Sequence, residues 1–298
     1  MSLLLLVDGH AYAYRAFHAI RSLNGPDGKP TNAIFGFVKM LQRMLAEVSP
    51  SHVAVIWDGG LSAERMALLP EYKAQRPAMP ESLSQQIGEV MTYLSAAKIF
   101  STQQDGVEAD DLIASLTRSA ADQGVRVVIA SADKDFFQLI TDSVGLLNPN
   151  DKTGKIWAAG DVVAKTGVRP EQIVDWLSLV GDAVDNVAGV AGVGPKTAAS
   201  ILAQFGSVDA VYDRIDDVEP DRIRESLRAA KGNVRRNQQM IRLKSDLMEI
   251  PPLGELACVK PEMQQLLKLY QHWGFRGMAA EAASQLAEQG DLFSAAKS

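Results

Sequence analysis

The chain has 298 residues, 47% hydrophobic and 22% charged, with 36 acids against 30 bases and a net charge of −6. That composition describes a soluble globule of one large domain or two modest ones. Cys258 is the only cysteine, which excludes an intrachain disulfide and a zinc site of several thiolates and suits a reducing cytoplasm.

The opening MSLLLLVD lacks a basic stretch and is broken at Asp8, so it does not read as a secretory signal, and no segment reaches membrane-span length. Residues 3–7 (LLLLV) read instead as a buried strand ending at Asp8. A loop at 23–33 and an amphipathic helix near 34–47 lead to a second strand, 53–57 (VAVIW), ending at Asp58. The connection to about residue 105 is long, with prolines and bases first and a helical pattern after; such an insertion at a ligand edge suits a lid or clamp. A helix beginning near Ala109 follows, then a third strand, 125–130 (VRVVIA), running into Asp133. Short β-branched runs separated by helical patterns predict a parallel α/β sheet. Each strand delivers its acid to the carboxyl edge, where open parallel sheets bind ligands. After about residue 165 short helices dominate, so a domain boundary is expected near 155–170, and the Ala-, Gln- and Glu-rich residues 279–298 read as a flexible tail.

Three acidic clusters stand out: GVEADDLIASL with Glu108, Asp110 and Asp111, ASADKDFFQL with Asp133 and Asp135, and LVGDAVDNV with Asp182 and Asp185. A first helical turn accommodates one or two acids through the helix dipole, so a lone cluster would be a cap. Three clusters, with Asp8 and Asp58 besides, call for a shared counter-charge, and a divalent cation supplies it. Without those nine acids, 27 acids face 30 bases, and the run from Arg222 to Lys244 holds eight bases and one acid. The negative total therefore does not exclude a local positive track for nucleic acid.

GVAGVGPKTA (189–198) has the Gly spacing of a phosphate loop, but Pro195 separates Gly194 from Lys196 and Thr197, and no strand precedes it. A helix–hairpin–helix turn fits better: Gly189, Gly192 and Gly194 permit a tight turn, Pro195 opens the next helix, and N–H groups face a DNA phosphate. EYKAQRP (71–77) places Tyr72, Lys73 and Arg76 in the insertion, where the two cations could hold a phosphate and the ring could stack on a base. No zinc motif, serine elbow or activated cysteine is present, which leaves covalent hydrolysis without machinery.

LVDGHAYAYRAF, LLPEYKAQRPAMP, GVEADDLIA, SADKDFFQL, GDAVDN and GVAGVGPKTA together resemble the 5′-nuclease family, the 5′→3′ exonuclease module of bacterial DNA polymerase I and the flap endonucleases, over about residues 1–275. The resemblance implies an α/β, PIN-like catalytic domain over 1–165 with a helical arch within about 60–105. It also implies a helical helix–three-turn–helix DNA-binding domain over 166–278. Two Mg²⁺ ions, replaceable by Mn²⁺, would be held by Asp8, Asp58, Glu108, Asp110 and Asp111 and by Asp133, Asp135, Asp182 and Asp185, with K⁺ at the glycine turn. Arg15, Tyr72, Lys73 and Arg76 match positions that handle the reacting phosphate, and Arg65, Gly189, Gly192, Gly194, Lys196 and Thr197 match DNA-binding positions. SAER stands where the family has Thr-Phe-Arg, VDN for Ser-Asp-Asn, NVAG for Asn-Ile-Pro-Gly and GVE for Gly-Tyr-Glu, but every carboxylate is kept.

The implied activity is two-metal cleavage of DNA at 5′ ends and 5′-flap junctions, in replication and repair, by a stand-alone cytoplasmic, nucleoid-associated monomer without a membrane. The implied substrates are flaps, nicked or gapped duplex and RNA–DNA hybrid. Near the end, QGDLF (289–293) approaches a sliding-clamp peptide through Gln289, Leu292 and Phe293. A PIN-type ribonuclease and a non-catalytic binder of branched DNA are the alternatives.

Overall fold

The computed structural model describes residues 2–295, with side chains described through residue 288. The chain begins β1 (Leu3–Asp8), α1 (Gly9–Ala19), α2 (Asn32–Val48), β2 (His52–Trp57), α3 (Ala63–Leu68), α4 (Glu81–Ala96) and β3 (Phe100–Gln103). It continues α5 (Ala109–Asp122), β4 (Arg126–Ala130), β5 (Val144–Leu147), β6 (Ile156–Trp157), α6 (Ala159–Thr166) and α7 (Ile173–Val180). The short strands β7 (Gly181–Asp182) and β8 (Val187–Ala188) precede α8 (Pro195–Phe205), α9 (Val208–Asp213), α10 (Asp221–Ile241), α11 (Met263–His272) and α12 (Arg276–Ala295). Among the described residues no helix is long and apolar enough to cross a membrane.

Two compact units interleave along the chain. The first gathers residues 2–57, 78–102 and the segment from Pro251 onward. Its strands lie in the order β3-β2-β1, with β1 parallel to β2 in register from Leu4 opposite His52 to Asp8 opposite Ile56. Leu4, Leu5, Leu6 and Val7 are all fully buried, as a continuous apolar strand covered on both faces requires. Ile34, Phe37, Val38 and Leu41, spaced at helical period, form the buried face of α2, and Phe37 stacks on Trp57 with centroids 5.8 Å apart. The helical half of the long insertion is α4, which buries Leu83, Val90 and Leu94 in this unit. Within the segment of about 60–105 where an arch is expected, Glu81–Ala96 is thus a core helix. α12 runs to Ala295, where composition suggested a flexible tail from residue 279, and Met278 and Ala282 are buried in this unit.

The second unit gathers residues 58–77 and 103–250. Here β4 runs parallel to β5, from Val127 opposite Val144 to Ala130 opposite Leu147, and β6 closes the edge antiparallel. The sheet is thus mixed rather than purely parallel. α5 buries Leu112, Ile113 and Leu116, and the helical part that follows packs Ile173, Leu177, Leu202, Val211 and Leu227. Each fully buried side chain of this size contributes roughly 1.5–3 kcal/mol relative to exposure.

Candidate active site and nucleic-acid interface

The carboxylates that converge do so in the second unit. Asp58, just past β2, accepts from the Ala109 N–H at 2.9 Å and so caps α5 from outside the helix. Glu108, the residue before α5, is 1% exposed. Its Oε1 accepts from the Ser62 N–H at 3.1 Å and lies 3.2 Å from Arg65 Nη1. Its Oε2 accepts from the Tyr72 hydroxyl at 3.0 Å and pairs with the Lys73 ammonium. Burial pushes the Glu108 carboxyl up, but Lys73 and Arg65 outweigh it and hold it below the usual range.

Asp110 and Asp111 are neighbours on α5, about 100° apart around its axis, and this separates their roles. Asp111 turns inward: Arg65 donates to its two oxygens at 2.8 Å each, and the Lys244 N–H donates at 3.0 Å. Arg65 Nε donates to the Met240 carbonyl at 2.8 Å, which completes a buried guanidinium with fixed partners. Asp110 instead lines a narrow cleft together with Asp135, Asp182, Asp185 and Tyr72.

The other acids follow β4 and α7 in the chain. Asp133 accepts from the Asp135 N–H at 2.9 Å, capping the 3-10 turn Lys134–Leu139 that follows β4. Asp182 lies 3.2 Å from Lys134 Nζ and accepts from the Val184 N–H at 2.9 Å. Asp185 accepts from Arg76 Nη2 at 2.6 Å, lies 3.4 Å from the Tyr72 hydroxyl, and offers its carbonyl to the Lys73 N–H at 3.1 Å. Burial, then the charges of Asp133, Asp185 and Asp182, push the Asp135 carboxyl well above the usual range. Burial also raises Asp133, with Asp185 and Asp182 adding to it against the Asp135 N–H and Lys134.

Four cations face these groups: Arg65, Lys73, Arg76 and Lys134. Burial pulls the Lys73 ammonium down, but Glu108 and Asp185 more than restore it. Lys73 sits at φ 56°, a left-handed conformation unusual for a non-glycine residue, in the turn that aims its side chain at Glu108. Among the described residues no three carboxylates form a ready metal cage. The donor set nevertheless fits a hard cation: the acids that converge are all carboxylates, and burial first, then the charge of their neighbours, raises Asp135 and Asp133.

The glycine segment forms a hairpin between two helices. Gly181 ends α7 at φ 82°, and a Cβ there would lie 2.4 Å from the Gly189 nitrogen. A Cβ on Gly189 would lie 2.2 Å from the Val180 carbonyl oxygen, so the strands β7 and β8 approach closely only because both positions are glycine. Gly192 turns the chain at φ 79°, and Pro195 occupies the first position of α8. Asn237 of α10 is fully buried and donates to the carbonyls of Ser178 at 3.1 Å and Ala188 at 2.8 Å, locking helix and hairpin together. Lys196 is exposed at the start of α8, Thr197 is half-buried behind it, and the Arg222 guanidinium lies against Gly192, 3.5 Å from where a Cβ would stand.

A family model described as the 5′-3′ exonuclease N-terminal resolvase-like domain matches residues 3–167, and one described as the 5′-3′ exonuclease C-terminal SAM fold matches 168–264. The chain belongs to the 5′-3′ exonuclease family. It is 35% identical to a 5′-3′ exonuclease of Aquifex aeolicus over 94% of this chain and 95% of that one. It is 33% identical to DNA polymerase I of Bacillus subtilis over 96% of this chain, but spans only 33% of that larger protein. Among solved structures it resembles a T5 5′-exonuclease variant at 25% identity with a TM-score of 0.64, covering 82% of this chain and 89% of that one. The catalytic core of Rad2, solved with a DNA substrate, shares the fold at 16% identity with a TM-score of 0.62, covering 91% of this chain and 88% of that one.

Of the residues read from the sequence, Asp58, Glu108, Asp110, Asp133, Asp135, Asp182, Asp185, Lys73 and Arg76 come together here. Asp8 and Arg15 belong to the other unit, where Asp8 caps α1 through the Ala11 N–H at 3.0 Å and Arg15 is exposed on that helix. Three others are held by contacts within the protein. Arg65, read as a DNA contact, is 5% exposed and committed to Asp111, Glu108 and Met240. Asp111, read as a metal ligand, is the buried partner of that arginine. Tyr72, read as a base-stacking ring, is buried, bonded through its hydroxyl to Glu108, and covered by the Lys73 ammonium 4.8 Å from its centroid. Lys134 and Asn237 were not singled out, although Lys134 lies between two acids in DKD, and Arg222 entered only as the start of a basic run. Gln289, Leu292 and Phe293 lie outside the described side chains.

Proposed function

We propose that this chain is a divalent-metal-dependent 5′→3′ exonuclease and 5′-flap endonuclease that hydrolyses DNA phosphodiesters in replication and repair. The observation that carries the reading is the cleft where Asp110, Asp135, Asp182 and Asp185 meet, in which burial and then the neighbouring carboxylates raise Asp135. Mg²⁺, with Mn²⁺ as a substitute, suits this all-oxygen set. Asp135, Asp182, Asp185 and Asp133 would hold one ion, and Asp110, Glu108 and Asp58 a second. When bound, the ions supply hydroxide near neutral pH and offset charge on the phosphate.

The chain's own groups do the positioning. Arg76 is the exposed cation, and its pairing with Asp185 leaves a guanidinium able to exchange a carboxylate for a substrate phosphate. Lys73 stays buried against Glu108 and adds fixed positive charge beside the reacting phosphate. Tyr72 donates its hydroxyl proton to Glu108 at 3.0 Å, with Asp185 3.4 Å away as the alternative acceptor, and so helps to hold Glu108 in place. The glycine hairpin with Lys196 and Thr197 binds a duplex phosphate, with K⁺ seated at the turn, and residues 1–165 and 166–278 serve as catalytic and DNA-binding parts.

Cleavage of 5′-flap DNA, single-stranded RNA and plain duplex, with and without Mg²⁺, tests the reading. Metal-dependent release of the flap is expected. Preferential cutting of RNA would favour a PIN-type ribonuclease, and binding of flap DNA without turnover would favour a non-catalytic role. Contact with a sliding clamp through QGDLF rests on sequence alone; unchanged clamp affinity after deletion of residues 289–298 would remove it.

A further inference from the structure

The segments that bring acids to the cleft are far apart in the chain, and the end of α10 is joined to each of them. Met240, Ile241 and Leu243, from its last turn and just beyond, line the cleft beside Asp110, Asp135, Asp182 and Asp185. The first tie runs to α5: Arg65 donates to the Met240 carbonyl and holds Asp111, which also accepts from the Lys244 N–H. The second is Gln138, on the 3-10 turn that carries Asp135. Its Nε2 donates to the Asp135 carbonyl at 2.9 Å and to the Ile241 carbonyl at 3.1 Å, and its Oε1 accepts from the Leu243 N–H at 3.1 Å. The last carbonyls of a helix lack partners within it, and Gln138 supplies one for Ile241. The third is Asn237, one turn earlier on α10. It spends its amide group on the carbonyls of Ser178 and Ala188, which bracket the segment carrying Asp182 and Asp185. Its Oδ1 is buried and accepts no hydrogen bond among the described residues. Packing alone would be better served by an apolar side chain of the same shape, so holding those two carbonyls is what the amide contributes.

We propose that Gln138 and Asn237 are positioning residues that set the spacing of Asp133 and Asp135 against Asp182 and Asp185, and so the affinity of the ion those four carboxylates hold. The inference rests on the nuclease reading and adds to it two residues that act through the acids rather than on the substrate. Asp133 and Asp135 arrive from β4, and Asp182 and Asp185 from α7, so no local stretch of chain fixes the gap between the pairs. Like charges brought together push their segments apart. Each segment is tied through a neutral amide to the same helix, which fixes the gap before an ion enters. A lysine or arginine in either place would neutralise the acids and compete with the ion; an amide holds the backbone without doing so. The effect falls on one ion. Glu108 is held by Lys73 and Arg65 and Asp58 by the Ala109 N–H, and neither depends on these amides.

The test titrates Mg²⁺ calorimetrically into metal-free wild-type protein and into Gln138→Met and Asn237→Leu, which keep the side chain's shape and lose its hydrogen bonds. Gln172→Met is the control. Gln172 is 8% exposed and donates to the carbonyls of Leu202 at 3.2 Å and Gly206 at 2.8 Å, but the segments it joins carry none of the cleft's acids. Circular dichroism melting verifies that each variant folds. In Gln138→Met and Asn237→Leu one binding event is expected to weaken about tenfold while the other keeps its affinity. Gln172→Met should melt at a lower temperature and leave the isotherm unchanged. In flap cleavage by the two test variants, the Mg²⁺ concentration giving half-maximal rate should rise in step, KM for DNA should hold, and saturating Mg²⁺ should restore kcat. A general fault of folding would instead depress kcat at every Mg²⁺ concentration. Should Asn237→Leu fail to fold, Gln138→Met decides alone. An unchanged isotherm for either folded test variant, or an equal loss in Gln172→Met, would overturn the inference and leave the nuclease reading standing. Wild-type protein that took up no Mg²⁺ would overturn the nuclease reading, and the inference with it.

Discussion

Arg65 and Asp111 form a buried pair with two parallel hydrogen bonds, and the pairing predicts how neighbouring acids differ on substitution. Asp111→Asn takes the two-pronged carboxylate from a buried guanidinium and leaves it only Glu108, which Lys73 also claims, so unfolding in urea should show a loss of about 3–5 kcal/mol. Asp135→Asn relieves repulsion instead, and in EDTA it should raise the melting temperature while cleavage is lost. The pH dependence follows from sign. A carboxyl raised in the folded state favours folding fully below its unfolded value, and that contribution is lost as pH rises through the folded value. Without metal, wild-type stability should therefore fall from about pH 4 toward neutrality relative to Asp135→Asn, and Mg²⁺ should close the gap. Identical pH profiles for the two proteins would show that Asp135 carries no such load. The acids at strand ends were legible because a short apolar run announces its own terminus. The roles of Arg65, Asp111 and Tyr72 were not, because a charged or phenolic residue is expected at the surface until its buried partner is known.

The hairpin joining α7 to α8 separates glycines needed for close approach from those that leave room for a ligand. Gly189→Ala would drive a methyl group against the Val180 carbonyl, so both folding and DNA affinity should suffer. Gly194 has φ −90° and nothing within 4 Å of an added Cβ, so Gly194→Ala should keep the native melting temperature. If both variants melted alike, the packing account of the hairpin would be wrong. This turn was readable from its Gly and Pro chemistry. The helix α4 was legible but its place was not, because a long insertion with a helical pattern looks the same in sequence whether its apolar face meets a core or stands over a site. α12 was missed because Ala-, Gln- and Glu-rich sequence has strong helix propensity but little periodic signal.

Across the full chain, charge is more balanced than the bunching of bases suggests. Of the run from Arg222 to Lys244, Arg224 pairs with Asp221, Arg228 with Asp216 and Glu225, Arg235 with Asp209, and Lys244 with Glu64. The sequence shows the bases but not which carboxylates fold against them, so the local positive track is reduced to about half of the run, with no ion pair among the described residues for Arg222, Lys231, Arg236 or Arg242. DNA binding should then depend on a few exchangeable pairs and weaken steeply with salt. The acidic cleft is the opposite case, an excess of negative charge that protein cations only partly answer. The most direct measurement is calorimetric titration of Mg²⁺ into the wild-type protein and an Asp135→Asn/Asp185→Asn variant. Wild-type protein should take up about two ions and the variant at most one, with cleavage lost. Matching isotherms, with flap cleavage retained, would contradict the claim that these carboxylates are gathered to bind metal.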